Sequence, residues 1–333
     1  MKAAYIRQPG PPENIVYGDL PEPVPTGARV LVRVRAVAVN PIDTYIRAGL
    51  VKADLPVPFI VGCDLAGVVE AVGPEARRFK PGDRVWGSNQ GLLGRQGTFA
   101  ELAAVEEQWL YPIPDGVSDE TAAAAALVGI TAHLGLVREA GVKPGETVFV
   151  NGGGGSVGST VIQMAKALGA RVIAATGSPE KAEVCRQLGA DAVINYRTEA
   201  VGATLKQHAP KGVDVWWETT REANFDLAIG ALAFRGRMIV MAGRDARPPF
   251  PIGPFYTRNA RLLGFAMFLA APEEQRAAAE DINRWLAAGK LKPKIARVLP
   301  LAETAAAHRL QEENTIGNKG TLAGKLVLLN MEG

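Results

Sequence analysis

Apolar and polar residues alternate with a period of two in VLVRVRAVAVN, where Val30, Val32, Val34, Ala36 and Ala38 fall on one side and Arg33 and Arg35 on the other. That spacing predicts a strand buried on one face. FIVGCDLAGVVEAVG, KPGDRVWG and TFAELAAVEEQWLYPIP each predict a further strand. Glycine and proline separate them, and Pro9, Pro11, Pro12, Pro21, Pro23 and Pro25 punctuate the entry, where proline can neither donate to a ladder nor sit inside a helix. To about Val117 the pattern therefore predicts a small antiparallel, barrel-like domain. Between its strands, NPIDTYIRAG reads as a polar turn organised by Asn40 and Asp43.

The pattern changes at Ser118, which with Asp119 and Glu120 reads as a helix cap and an acidic first turn ahead of TAAAAALVGITAHLGLV. Residues 147 to 176 then run strand, turn, helix, strand. VINYR, DVWWETT, AIGALAFRGRMIVMAG and RLLGFAMF add strand-length apolar runs with helical segments between them, as repeated βαβ units demand. Trp216 and Trp217 read as core residues, and EEQRAAAEDINRWLAAG as an amphipathic helix. The fold class is α/β, with a doubly wound parallel sheet following the barrel-like part.

The turn within 147–176 carries the strongest chemical signal. Gly153, Gly155 and Gly158 stand in G-x-G-x-x-G register between an apolar strand and a helix. Such a turn needs glycine for a tight reversal, expected at Gly153, for close approach of a pyrophosphate at Gly155, and for helix-to-strand packing at Gly158. The amides of Ser156 and Val157 then face the phosphates from the helix N-terminus, where the dipole favours an anion. Beyond the second strand, Ala175-Thr176-Gly177-Ser178 carries no acid to bind a ribose 2′-hydroxyl, while Ser178 and Lys181 can meet a 2′-phosphate. The expected cofactor is NADPH.

Composition narrows the rest. With 333 residues, 47% hydrophobic and 21% charged, the chain suits about two globular domains. Thirty-seven basic against 34 acidic residues give a net charge of +3, no reason to expect nucleic acid or a membrane surface as partner. The two cysteines, Cys63 and Cys185, lie far apart, which leaves neither a disulfide framework nor a cysteine-built zinc site and fits a reducing cytoplasm. Cys63 reads as a small core residue. The N-terminal segment has no apolar signal core, and no run of about 18 apolar residues is present.

NPIDTYIRAG, PFIVGCDLAGVVEAVG, KPGDRVWG, TFAEL and the glycine turn, in that order, resemble the medium-chain dehydrogenase/reductase superfamily, and within it the zinc-free quinone oxidoreductases related to zeta-crystallin. The resemblance runs over nearly the whole chain. It implies a discontinuous GroES-like catalytic domain, residues 1–119 and 268–333, closed by the strand GKLVLL, and a Rossmann domain, residues 120–267, with the reaction between them. The zinc-dependent alcohol dehydrogenases carry a cysteine where Asn40 stands and a G-H-E motif where this chain has Gly62-Cys63-Asp64, so no metal is expected. The resemblance places Asn40, Asp43, Tyr45 and Thr131 at the hydride-transfer site, with Tyr45 the first candidate hydrogen-bond donor to the developing oxygen, Asn40 the second and Asp43 an orienter. It places Tyr196 at the adenosine phosphate, and Gly243 and Phe265 near the nicotinamide. The implied activity is hydride transfer from NADPH to a quinone or conjugated enone, by a homodimer joined through the edge strand RLLGFAMF. A reductase of enoyl thioesters or alkenals is the alternative enzyme, and an NADPH-binding crystallin-like or RNA-binding protein the alternative of another class.

Overall fold

The computed structural model describes residues 1–317, 319–320 and 322–330. The chain divides into two compact units, one built from Met1–Val128, Ala270–Ala287 and the chain from Pro293 on, the other from Gly129–Leu269 and Ala288–Lys292.

In the first unit the alternating segment forms the long strand Arg29–Val39. Arg33 and Arg35 are exposed and their apolar neighbours buried; from Ala36 to Val39 both faces are covered. This strand pairs antiparallel with Leu65–Val72, Leu102–Glu106 and Lys325–Leu329. The sheet reaches Ile295–Pro300 on one side and Arg84–Gly87 and Leu110–Pro112 on the other. A second sheet sets Lys2–Ile6 between Val16–Asp19 and Phe59–Ile60. Val32, Val34, Leu65, Phe99, Leu110 and Leu326 belong to the core enclosed.

Two local expectations change. NPIDTYIRAG is the helix Pro41–Arg47, whose entry is held by the Asp43 carboxylate accepting from the Asn40 amide at 2.7 Å. TFAELAAVEEQWLYPIP is two strands, parted by the 3-10 turn Glu107–Trp109. There the Glu107 carboxylate accepts from the amides of Arg77 and Arg78 at 2.8 and 2.7 Å.

The second unit holds a six-stranded parallel sheet in the order Ala192–Asn195, Arg171–Thr176, Thr147–Asn151, Val213–Glu218, Leu232–Val240, Arg261–Gly264. The chain starts in the middle, winds outward to one edge, then returns to wind toward the other. The order therefore reverses between Thr147–Asn151 and Val213–Glu218, the switch point at which such sheets take a ligand beyond their carboxyl ends. Phe149, Ile173, Trp216 and Met238 lie in its core, and both Trp216 and Trp217 are buried.

The helix Asp119–His133 runs on into a π-helical stretch, Leu134–Glu139. The 21 residues Asp119–Glu139 are long and apolar enough to cross a membrane, but 83% of the apolar window is buried inside the protein, as in a core helix.

Candidate functional site: a glycine turn and a buried polar cluster

In the second unit, Gly152 rather than Gly153 makes the sharp reversal after Thr147–Asn151. Gly152 has φ +89°, and a Cβ there would come within 2.0 Å of Thr219 Oγ1. Gly153 lies outside the left-handed region; its missing Cβ leaves room for Ala174 Cβ at 2.9 Å and Cys185 Sγ at 3.2 Å. The expected reversal thus moves one residue earlier. Gly155 caps the helix Ser156–Ala167, is exposed, and would set a Cβ no nearer than 3.5 Å to anything but its own chain neighbours. A Cβ at Gly158 would strike Gly152 O at 2.2 Å, so the helix lies directly on the turn. Open space before Gly155 and the first-turn amides of Ser156 and Val157 is the cradle an anionic pyrophosphate fits.

Ser178, Lys181 and Tyr196 stand just past the end of Arg171–Thr176. Ser178 caps the helix Pro179–Gln187, accepting from the Lys181 amide at 3.3 Å, and its hydroxyl also holds the Glu180 carboxyl below its usual range. The Lys181 stem lies over Gly154, whose added Cβ would sit 2.9 Å from Lys181 Cβ. Burial, then the nearby Arg197 guanidinium, lowers the Lys181 ammonium. Tyr196 stands over Gly177, its hydroxyl 2.4 Å from the position of an added Cβ. Arg197 was not anticipated; the signal was its place beside Tyr196 in VINYR, where the tyrosine alone carried the resemblance.

At the other half of the sheet, Gly243 follows Leu232–Val240 with φ +81°, and a Cβ there would meet Arg221 O at 2.1 Å. Phe265, half-buried just past Arg261–Gly264, packs edge-on against Trp217 with ring centroids 6.4 Å apart. Gly135 in the π-helical stretch admits both rings, since its Cβ would lie 2.4 Å from Trp217 and 3.0 Å from Phe265. Thr131 lies one turn earlier on the same helical run and is 5% exposed.

In the first unit Asn40, Asp43, Cys63, Asp64, Ser88 and Lys325 form one buried cluster. Asn40 Nδ2 donates to Asp64 Oδ2 at 2.8 Å and to Ala38 O at 3.1 Å, while its Oδ1 accepts from Lys325 Nζ. Lys325 Nζ also donates to Val39 O at 2.9 Å and stands 4.0 Å from Asp64 Oδ2. Ser88 Oγ donates to the second Asp64 oxygen at 2.7 Å.

Burial pushes the Asp64 carboxyl up, opposed chiefly by Lys325; burial pushes the Lys325 ammonium down, opposed chiefly by Asp64. Burial carries Asp43 to about 7, with Asp64 adding and the Cys63 thiol, the Asn40 amide and Lys325 opposing. Burial and the two carboxyls push the Cys63 thiol up, as suits an unreactive core cysteine.

This geometry corrects the expectation for Asn40. Its amide is fully engaged and its surface fully buried, so it has no donor to offer an acceptor molecule. Tyr45 is half-buried on the Pro41–Arg47 helix. Lys325, which sequence reasoning took only as part of a closing strand, is the cluster's cation; the signal was a lysine opening an otherwise apolar run. Among the described residues no three His, Cys, Asp or Glu side chains converge as a metal ion requires.

A glycine cradle at the switch point of a doubly wound sheet, in one chain with a GroES-like unit, defines an oxidoreductase of the medium-chain dehydrogenase/reductase class with an NAD(P)-type cofactor site. Residues 26–115 match the model of the alcohol dehydrogenase GroES-like domain and residues 156–284 that of the zinc-binding dehydrogenase domain. The human quinone oxidoreductase is 33% identical over 99% of this chain and 98% of its own, and that of Pseudomonas aeruginosa 34% identical over 95% and 96%. The Escherichia coli quinone oxidoreductase complexed with NADPH superposes with a TM-score of 0.86 at 26% identity, over 99% of this chain and all of that one. The chain belongs to the quinone oxidoreductase family of that superfamily.

Proposed function

We propose that this protein is an NADPH-dependent reductase of quinones and conjugated enones. The observation that carries the choice of coenzyme is the strand end with no acid in Ala175-Thr176-Gly177, followed by Ser178 capping a helix whose first turn holds Lys181, with Tyr196 over Gly177. The Lys181 ammonium, lowered first by burial and then by Arg197, gains from an anion beside it, and charge-assisted bonds to a 2′-phosphate are the strong kind. Gly155 and the Ser156 and Val157 amides hold the pyrophosphate, Gly158 lets the helix approach it, and Gly153 packs the turn. Gly243 and Phe265 border the nicotinamide half.

Bound NADPH supplies a hydride from nicotinamide C4. The acceptor carbon gains two electrons and its conjugated oxygen becomes an enolate or phenolate, which needs a donor and finally a proton. With the Asn40 amide engaged, the half-buried Tyr45 hydroxyl takes that role, and Thr131 orients the ring. Asp43, buried against Asn40, sets the start of the helix that carries Tyr45. Exposed Leu262, Ile252 and Tyr256 lie on and beside the edge strand Arg261–Gly264, which supports a homodimer paired through that edge; sedimentation at micromolar concentration should give twice the chain mass.

The test is NADPH oxidation against a quinone panel, an enone panel and no acceptor, with NADH in parallel. Acceptor-dependent oxidation and an NADPH preference are expected. Lys181→Ala and Arg197→Ala should each cut that preference about tenfold, the weight of one charge-assisted bond. Tyr45→Phe should lower turnover several-fold without weakening NADPH. Tight coenzyme binding with no turnover on either panel would refute the activity, and an unchanged coenzyme preference in both cation variants the choice of NADPH.

A further inference from the structure

Glu218 ends the strand Val213–Glu218 and is completely buried. It lies opposite Asn151, the last residue of Thr147–Asn151, so the two residues straddle the switch point of the sheet. Asn151 Nδ2 faces both carboxylate oxygens, at 2.9 and 3.0 Å. Trp216 Nε1 donates to Oε2 at 3.0 Å and the Thr220 amide to Oε1 at 2.8 Å. Thr219 Oγ1, from the same segment, donates to Asn151 O at 2.6 Å, and it is this hydroxyl that leaves no room for a side chain at Gly152.

Both Glu218 oxygens accept, from Trp216 Nε1 and the Thr220 amide as well as from Asn151, so Glu218 meets the nitrogen end of the Asn151 amide. Oδ1 is then the end of Asn151 left to meet a ligand, as an acceptor. An anionic pyrophosphate finds nothing there. A sugar hydroxyl does, and in a dinucleotide whose pyrophosphate lies on the glycine turn the ribose of the nicotinamide half is the part that crosses to the Val213–Glu218 side.

We propose that Asn151 accepts a hydrogen bond from a hydroxyl of the nicotinamide-side ribose, and that Glu218 is the positioning residue that holds Asn151 in the accepting orientation. The inference rests on the dinucleotide reading of the glycine turn and goes beyond it, since the residues that turn supplies contact phosphate and adenosine alone.

The test compares two probes on the full chain by fluorescence titration: the reduced coenzyme that binds more tightly, and its adenosine fragment, adenosine 2′,5′-bisphosphate or adenosine 5′-diphosphate, which lacks the nicotinamide ribose. Asn151→Leu should weaken the coenzyme about tenfold and leave the fragment unchanged. Glu218→Gln should weaken the coenzyme several-fold, and the double variant should be no worse than Asn151→Leu, because the glutamate acts through the asparagine. A coenzyme analogue with a dideoxyribose on the nicotinamide side should bind the unaltered protein about tenfold more weakly, which keeps a readout if a variant does not fold. Equal coenzyme binding by Asn151→Leu, parallel loss of coenzyme and fragment, or full affinity for the analogue overturns the proposal. Failure of the fragment and coenzyme to bind the unaltered protein overturns instead the dinucleotide reading beneath it.

Discussion

Replacing Asp43 by Asn should tilt the pH dependence of stability, because Asp43 and His308 oppose one another within the first unit. Asp43 has its carboxyl raised from 3.8 to about 7, mainly by burial. Below its unfolded value the group is protonated in both states; as the pH rises toward 7 the unfolded chain releases the proton and the folded one keeps it, so stability falls. His308 is moved the other way, from 6.5 to about 3, by burial and by the Arg47 guanidinium, and neither ring nitrogen has a hydrogen-bond partner. As the pH rises from about 3 to 6.5 the unfolded chain still holds that proton and the folded one does not, so stability climbs. Between about 3.8 and 6.5 the two slopes cancel, at about 1.4 kcal/mol per pH unit each. Relative to the unaltered chain, Asp43→Asn should therefore gain roughly 4 kcal/mol across that window. His308→Phe should lose a similar amount. The neighbours that modulate Asp43 are Cys63, Asp64, Asn40 and Lys325, none of which is altered. Urea unfolding followed through Trp86 and Trp109, both in the same unit, reads the effect at half-unit pH steps. An Asp43→Asn curve parallel to the original from pH 4 to 6.5 would refute the reasoning.

Lys325→Met should destabilise the first unit by about 3–5 kcal/mol, the cost of leaving one member of a buried pair unmatched; Asp64→Asn in the same chain should recover more than half of it in urea titrations. Gly158→Ala forces a methyl to within 2.2 Å of Gly152 O, so the helix must lift off the turn. Calorimetry should show a loss of about 1–3 kcal/mol, and NADPH titration at least a tenfold loss of affinity.

The strand, turn, helix, strand order around the glycines was legible because hydrophobic period and glycine are local signals. Which glycine makes the reversal was not: any of the four from Gly152 to Gly155 can take a positive φ, and the choice falls on Gly152 because Thr219 arrives from another strand. The same limit governs Asn40. Its polarity beside Asp43 pointed to a turn, but the groups that complete its amide, Asp64 and Lys325, are 24 and 285 residues away. The break at Glu107 depends on the backbone of Arg77 and Arg78, some thirty residues earlier, which a two-residue period cannot register. Arg197 was within reach of the sequence, a cation adjoining a residue already chosen.

Lys325–Leu329 pairs with Arg29–Val39 and brings the ammonium that Asn40 and Asp64 face. On the ribosome those early residues emerge long before their partner is made. Until then the nascent first unit has a long strand left open along Ala36–Val39 and the Asp64 carboxylate without its cation, the state in which sheets recruit strangers. The second unit, nearly all of it contiguous from Gly129 to Leu269, can close in the interval. Birth order in this chain is therefore inverted, with the second unit to be synthesised the first able to mature.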